Sequence, residues 1–92
     1  MKFARAWAGQ YHSALLSTDG DLYTFGFNDY GQLGHGHDQD LFSPTKITGA
    51  WAGKVTDASL GYRHTMVVVH SGGVNETWAF GDGSATYEHV QE

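Results

Sequence analysis

Residues 3–20 are written a second time, loosely, at 55–72. At an offset of 52, Ala6 meets Ala58, Gly9 meets Gly61, His12 meets His64 and Gly20 meets Gly72. Ser13 likewise meets Thr65, and Leu15 meets Val67. Beyond Gly20 the offset becomes 55, so that Tyr23 meets Trp78, Phe25 meets Phe80 and Gly26 meets Gly81. The three additional residues, Asn75, Glu76 and Thr77, lengthen the second copy. A unit of about 50 residues made of short apolar runs does not fold alone. It buries its faces against its neighbours, as the four-stranded blades of a propeller do.

The runs read as strands because glycine and short polar clusters interrupt them. The chain has 13 glycines, one proline (Pro44), 14% aromatic residues and no cysteine, so no disulfide or thiolate site can staple it. Asp19-Gly20 lies between two apolar runs, and Asp-Gly favours a hairpin with a type I′ turn. Strands are expected at Phe3–Ala8, Tyr11–Ser17, Asp21–Phe25, Thr45–Thr48, Val55–Leu60, His64–His70 and Thr77–Phe80. A glycine-rich loop is expected from Gly26 to Pro44. Met66–Val69 is apolar throughout, as in a strand covered on both faces. The tail from Gly81 to Glu92 shows no periodicity, and no stretch holds a helical one.

Asp19-Gly20-Asp21-Leu22-Tyr23-Thr24-Phe25-Gly26, followed by Asn28-Asp29-Tyr30-Gly31-Gln32-Leu33-Gly34, resembles the regulator of chromosome condensation repeat. Pro44 and Gly61-Tyr62-Arg63-His64-Thr65 extend the likeness. The resemblance covers roughly residues 3–83 and implies a seven-bladed all-β propeller with about 50 residues per blade. Two features depart from it. Gly81-Asp82-Gly83-Ser84 stands where a second N-x-x-G-Q-L-G is expected, and the chain is too short for a closed ring. The expectation is one complete repeat at about residues 18–69, flanked by parts of neighbouring repeats in an incomplete ring. Gly9, His12, Gly20, Gly26, Gly31, Gly34, Gly61, His64, Gly72 and Gly81 are the structural repeat positions.

Residues with chemical potential read as structure. His12 and His64 could be acid–base groups, but an active site needs one histidine rather than one per repeat. Each ring is expected to bond nearby backbone and lock its own turn. His35-Gly36-His37-Asp38 offers two imidazoles and a carboxylate without a third close ligand or tetrahedral spacing, so no metal or other cofactor is expected. The glycines around Gln32 lack the Lys-Ser/Thr of a phosphate loop. Most aspartates sit at turns, where their side chains cap backbone. Asn75-Glu76-Thr77 matches a glycosylation sequon with no secretory leader before it. The tryptophans and tyrosines are expected between blades. Gly61-Tyr62-Arg63-His64-Thr65 also resembles a repeat of the plant ultraviolet-B photoreceptor of this family, with Tyr62 where a tryptophan would absorb.

The function expected is a non-enzymatic protein-interaction scaffold whose partner meets the Phe27–Phe42 loop through Asn28, Tyr30, His35, His37 and Asp38. The resemblance implies two alternatives: a guanine-nucleotide exchange factor acting on a small GTPase, and the substrate-recruiting propeller of a ubiquitin ligase. A net charge of −5 disfavours phosphate backbones, so nucleic acid is not expected as a partner of this segment. No apolar run reaches 18 residues, so no membrane span is expected, and the expected location is intracellular, cytoplasmic or nuclear. Uncovered apolar faces, with Leu15, Leu22, Phe25, Val67, Val69 and Trp78 expected on them, would be met by the remaining blades of a longer chain or by self-association.

Overall fold

Short runs broken by glycine fold into eight strands in the computed structural model, which describes residues 2–49, 51–81 and 84–91. They are β1 (Phe3–Ala8), β2 (His12–Ser17), β3 (Leu22–Gly26), β4 (Leu41–Lys46), β5 (Lys54–Leu60), β6 (His64–Ser71), β7 (Val74–Gly81) and β8 (Ser84–Gln91). β1 to β4 form one antiparallel sheet in chain order, and β5 to β8 form a second. The described residues contain no helix.

The sequence repeat and the sheets are out of phase. Residues 18–69 hold β3 and β4 of the first sheet with β5 and most of β6 of the second. β8 was not legible, since the tail lacks alternation. It forms by pairing along β7, from Gly81↔Ser84 to Glu76↔Gln91, so the neighbouring strand supplies the order. The tail reading at Asp82, Gly83 and Glu92 lies outside the described residues. β4 starts at Leu41, four residues earlier than expected, and holds Pro44. Proline removes a ladder donor, which an edge strand tolerates.

The two hairpins turn differently. In the first, Gly20 N–H donates to the Ser17 carbonyl, so Thr18 and Asp19 are the central residues and Gly20 follows them at φ 88°. Asp19-Gly20 is therefore not a two-residue type I′ turn. That turn occurs in the second copy, where Ser71 pairs with Val74 around Gly72 and Gly73, at φ 60° and 83°. With the tight turn moved outward, Asn75, Glu76 and Thr77 join the ladder and lengthen both strands.

Alternation decides what is buried. His12, Ala14 and Leu16 of β2 face the second sheet, and Thr65, Val67 and Val69 of β6 face the first. Between them lies a core of Ala14, Leu16, Leu22, Ile47, Val55, Val67, Val69 and Phe80, bordered by Trp7, Trp51, Leu60 and Trp78. Burying Leu22 or Val67 contributes about 1.5–3 kcal/mol each. Leu22, Val67 and Val69, expected on a free face, are thus core residues, while Leu15, Phe25 and Trp78 are half-buried. Met66 remains 40% exposed, so β6 is covered on one face within this chain and not on both.

Candidate functional site

The loop joining β3 to β4, residues 27–40, is built from the inside by Asn28. This side chain is fully buried. Its Oδ1 accepts from Leu33 N–H at 2.9 Å, and its Nδ2 donates to the carbonyls of His37 at 3.0 Å and Gln39 at 2.8 Å. Gln32 Oε1 accepts from Tyr30 N–H, and Asp40 Oδ1 from Asn28 N–H. Gly34 lies against the Phe80 ring of the second sheet, where an added Cβ would sit 2.6 Å from Cε2. The N-x-x-G-Q-L-G run is therefore a wedge seated between the sheets, and glycine gives Gly34 both its φ of 81° and its clearance.

Two hydroxyl relays pin the wedge. Thr65 Oγ1 lies 2.7 Å from the Gln32 carbonyl and 2.8 Å from His12 Nε2. A carbonyl only accepts, so the single hydroxyl proton goes to Gln32 and the oxygen accepts from His12 Nε2–H. Thr24 Oγ1 likewise donates to the Leu33 carbonyl at 2.7 Å and accepts from His35 Nε2–H at 2.9 Å. One relay ties the loop to its own sheet, and the other ties it to the next. The His12 ring thus crosses to the neighbouring sheet rather than bonding nearby backbone. Its backbone carbonyl closes the turn, accepting from Gly9 N–H at 2.8 Å. Gly61 and His64 repeat that turn at 2.9 Å, but the His64 ring is exposed.

His12 is 2% exposed and its pKa is held down to about 4, mainly by burial and secondarily by the charge of His64. The unfolded ring titrates near 6.5, so the unfolded chain binds the proton first. Its contribution is whole well above pH 6.5 and is lost as pH falls towards 4, by about 3 kcal/mol. His35, lowered by burial and then by His37, adds the same sign. Urea midpoints should therefore drop between pH 6.5 and 4, and His12→Gln should flatten that slope. An unchanged slope in His12→Gln would remove His12 from the acid response.

The wedge brings side chains from both sheets to one end of the molecule. Tyr11, Phe27, Asp29, Tyr30, Gln32 and Tyr62 line an open groove of about 250 Å³. Tyr11 meets Phe27 edge-on at 5.8 Å and Tyr62 at 5.3 Å, and Phe27 meets Phe42 at 6.2 Å. Tyr11, Phe27 and Tyr62 are about half exposed, at 46%, 46% and 48%. The Arg63 guanidinium stacks 4.7 Å from the Tyr30 ring and 5.4 Å from the Tyr62 ring. The nearby Tyr11 phenol raises the Tyr62 pKa.

Of the loop residues singled out from sequence, only Tyr30 lines the groove. Asn28 is interior. His35 is engaged with Thr24 and stacks on His37 at 6.0 Å, while His37 Nδ1 accepts from Gln39 N–H at 3.1 Å. Asp38 is exposed beyond the groove lining. Gly31 is buried within the wedge, while Gly26 and Gly81 close β3 and β7 opposite His12 and His64. Tyr11, Phe27 and Tyr62 were missed as a surface set. The pairing His12↔Gly26 carries the signal, because it puts Tyr11 and Phe27 side by side at the loop end.

The sequence model of the "Regulator of chromosome condensation (RCC1) repeat" matches residues 19–68. The chain is 43% identical over 68 residues to the Caenorhabditis elegans "X-linked retinitis pigmentosa GTPase regulator homolog", covering 72% of this chain and 5% of that protein. It is 40% identical over 65 residues to the Arabidopsis thaliana "Ultraviolet-B receptor UVR8", covering 71% and 15%. With the human "E3 ubiquitin-protein ligase HERC2" it shares 38% over 77 residues, covering 82% and 2%. It therefore spans a small part of each of these relatives. The crystal structure of human WBSCR16 superposes with a TM-score of 0.79 at 24% identity, covering 97% of this chain and 25% of that one. Prp20p from Saccharomyces cerevisiae superposes at 0.72 with 19% identity, covering 86% and 18%. No described helix is long and apolar enough to cross a membrane. The paired sheets, the wedge motif and these matches lead to one assignment: the chain belongs to the regulator of chromosome condensation (RCC1) repeat family, and its sheets are blades of a β-propeller in an incomplete ring.

Proposed function

We propose that this chain is part of a non-enzymatic protein-interaction scaffold, a partial propeller whose partner docks on the aromatic groove at the loop end. The observation that carries the reading is the cluster of half-exposed Tyr11, Phe27 and Tyr62 beside Asp29, on a frame fixed by buried relays. A contiguous aromatic patch on a rigid support is a protein-binding surface more often than a bare one. Tyr30, His35, His37 and Asp38 extend this surface along the loop, with Asn28 as its internal support. The partner is a protein met in an intracellular setting, cytoplasmic or nuclear.

Two further readings rest on relatives' names. The GTPase regulator homolog supports guanine-nucleotide exchange on a small GTPase, by prying open the nucleotide site without covalent chemistry at the propeller. HERC2 supports substrate recruitment for a ubiquitin ligase. Placing a photo-crosslinking residue at 27, 30 or 62, and separately at 44 or 74, in the full parent protein tests the scaffold reading. One protein should be captured from the first three positions and not from the other two. Phe27→Ala with Tyr62→Ala should then weaken its binding at least tenfold, since aromatic anchors carry most interface energy. Capture from positions 44 or 74 alone would overturn the reading. Accelerated release of labelled GDP from the captured protein would assign the exchange function.

A further inference from the structure

The groove at the loop end carries polar groups that its aromatic walls leave unused. Phe42, Phe27, Tyr11 and Tyr62 follow one another in edge-on contacts, with centroids 6.2, 5.8 and 5.3 Å apart. The rings form a continuous row from β4 of the first sheet to the turn before β6 of the second. Gln32 is 2% exposed and still lines the groove. Its Oε1 is held by Tyr30 N–H at 2.9 Å, which fixes the amide and leaves Nε2 as the free end. Nε2 has no partner among the described residues and is not sealed from solvent. An oriented N–H donor on a buried side chain therefore opens among aromatic rings. The Asp29 carboxylate lines the same groove, is exposed, and has no ion-pair or hydrogen-bond partner among the described residues.

These features together select an occupant. A bare cation suits Asp29 and the ring faces, but it meets the Gln32 donor and the Arg63 guanidinium, which already covers Tyr30 and Tyr62. An anion suits Gln32 and Arg63 and is repelled by Asp29. A chain with free carbonyls, flat apolar rings and a flanking cation satisfies every group. A polyproline II segment has that chemistry. It makes no internal hydrogen bonds, so its carbonyls are free to accept, and its pyrrolidine rings pack on aromatic faces. One turn advances about 9 Å, longer than any spacing in the row, so successive turns reach different rings. The conformation exists before binding, so docking orders little additional chain. The net charge of −5 favours basic flanks.

We propose that the groove binds a proline-rich segment of the protein partner in the polyproline II conformation. Its prolines lie against Phe27, Tyr11 and Tyr62, one of its carbonyls accepts from Gln32 Nε2–H, and a flanking arginine or lysine pairs with Asp29. The proposal rests on the groove being the docking surface, as in the scaffold reading above, and names what docks there.

Fluorescence anisotropy of a labelled decaproline peptide ending in Arg-Arg, titrated with the full parent protein, tests this. Saturable binding is expected. Replacing Arg-Arg with Glu-Glu should weaken it about fivefold, and Asp29→Asn should abolish that preference. A Gly-Ser peptide of equal length ending in Arg-Arg should not bind, because it offers no pyrrolidine rings. Gln32→Glu keeps an acceptor for Tyr30 N–H, removes the donor, and should weaken decaproline binding about tenfold. Tyr62→Ala, at a half-exposed position, should weaken it at least tenfold without touching the wedge. No saturable decaproline binding, equal binding of the Gly-Ser peptide, or full affinity in Tyr62→Ala would overturn the proposal. Crosslinking at 27, 30 or 62 reads the groove independently. A partner captured there while decaproline fails to bind keeps the docking surface and removes the proline-rich occupant. Failure of both removes the docking surface as well.

Discussion

Thr65→Val is expected to destabilise the chain by about 3 kcal/mol, and Thr65→Ser to stay within about 1 kcal/mol. Valine fills the same space, so packing between the sheets changes little and the hydroxyl is what is lost. That hydroxyl is the middle member of a relay, giving its proton to the Gln32 carbonyl and receiving one from His12 Nε2–H. Both partners are buried, as are Gln32 and Thr65 themselves. Each group left unpaired costs about 1–3 kcal/mol. A domain of this length has a total of roughly 5–14 kcal/mol, so the loss is a large part of the whole. Urea midpoints with an unchanged m-value measure it. His64→Ala, at the matching but exposed position, should cost within about 0.5 kcal/mol. Equal losses at the two sites would mean that the relay does not hold the sheets together.

Asn28→Asp should be as damaging, at about 3 kcal/mol, although it changes one nitrogen for one oxygen. The Asn28 amide donates to two carbonyls, of His37 and Gln39, and accepts one amide proton from Leu33. A carboxylate keeps the acceptor and loses both donors. Its second oxygen then faces two carbonyl oxygens in a site with no exposure, and a buried charge without a partner is costly. Protonation relieves part of this, so the penalty should shrink as pH falls below about 5. The damage should reach the groove, because Asn28 holds the loop that carries Phe27 and Tyr30. Urea midpoints read the stability, and quenching of tyrosine fluorescence by acrylamide reads the opening of the loop. A stable Asn28→Asp variant with a closed loop would mean that other contacts shape it.

Repeat spacing made the architecture legible, because a residue that returns at 52 or 55 positions returns to the same place in a sheet. Gly9 with Gly61 and His12 with His64 were read this way, and both pairs do occupy equivalent turns. Equivalence of position did not mean equivalence of surroundings. His12 has a second sheet to reach into and His64 does not, so one is buried and the other exposed. The same limit explains Val67 and Val69. Their apolar run announces burial, but which face is covered depends on which side the other sheet lies. β8 left no trace in the tail, since pairing with β7 rather than its own alternation makes it a strand.

The site was legible only in outline. The glycine-rich loop was visible, but its polar residues turned inward: Asn28, His35 and His37 satisfy backbone or hydroxyl groups of the wedge. Buried carbonyls need donors, and asparagine and histidine supply them. The exposed face fell to the aromatics Tyr11, Phe27 and Tyr62, which composition assigned to packing between blades. Sheet register, which puts the ends of β2 and β3 side by side, is what brings them together.

Everything at the groove rests on the sheets being joined through His12, Thr65 and the Gln32 carbonyl. Nuclear magnetic resonance of the His12 ring nitrogens across pH measures that joint directly. A neutral ring protonated on Nε2, with Nδ1 bare, and a titration midpoint near 4 are predicted. A ring that titrates near 6.5 and exchanges between its two tautomers would contradict it, because such a ring is in water and not between the sheets.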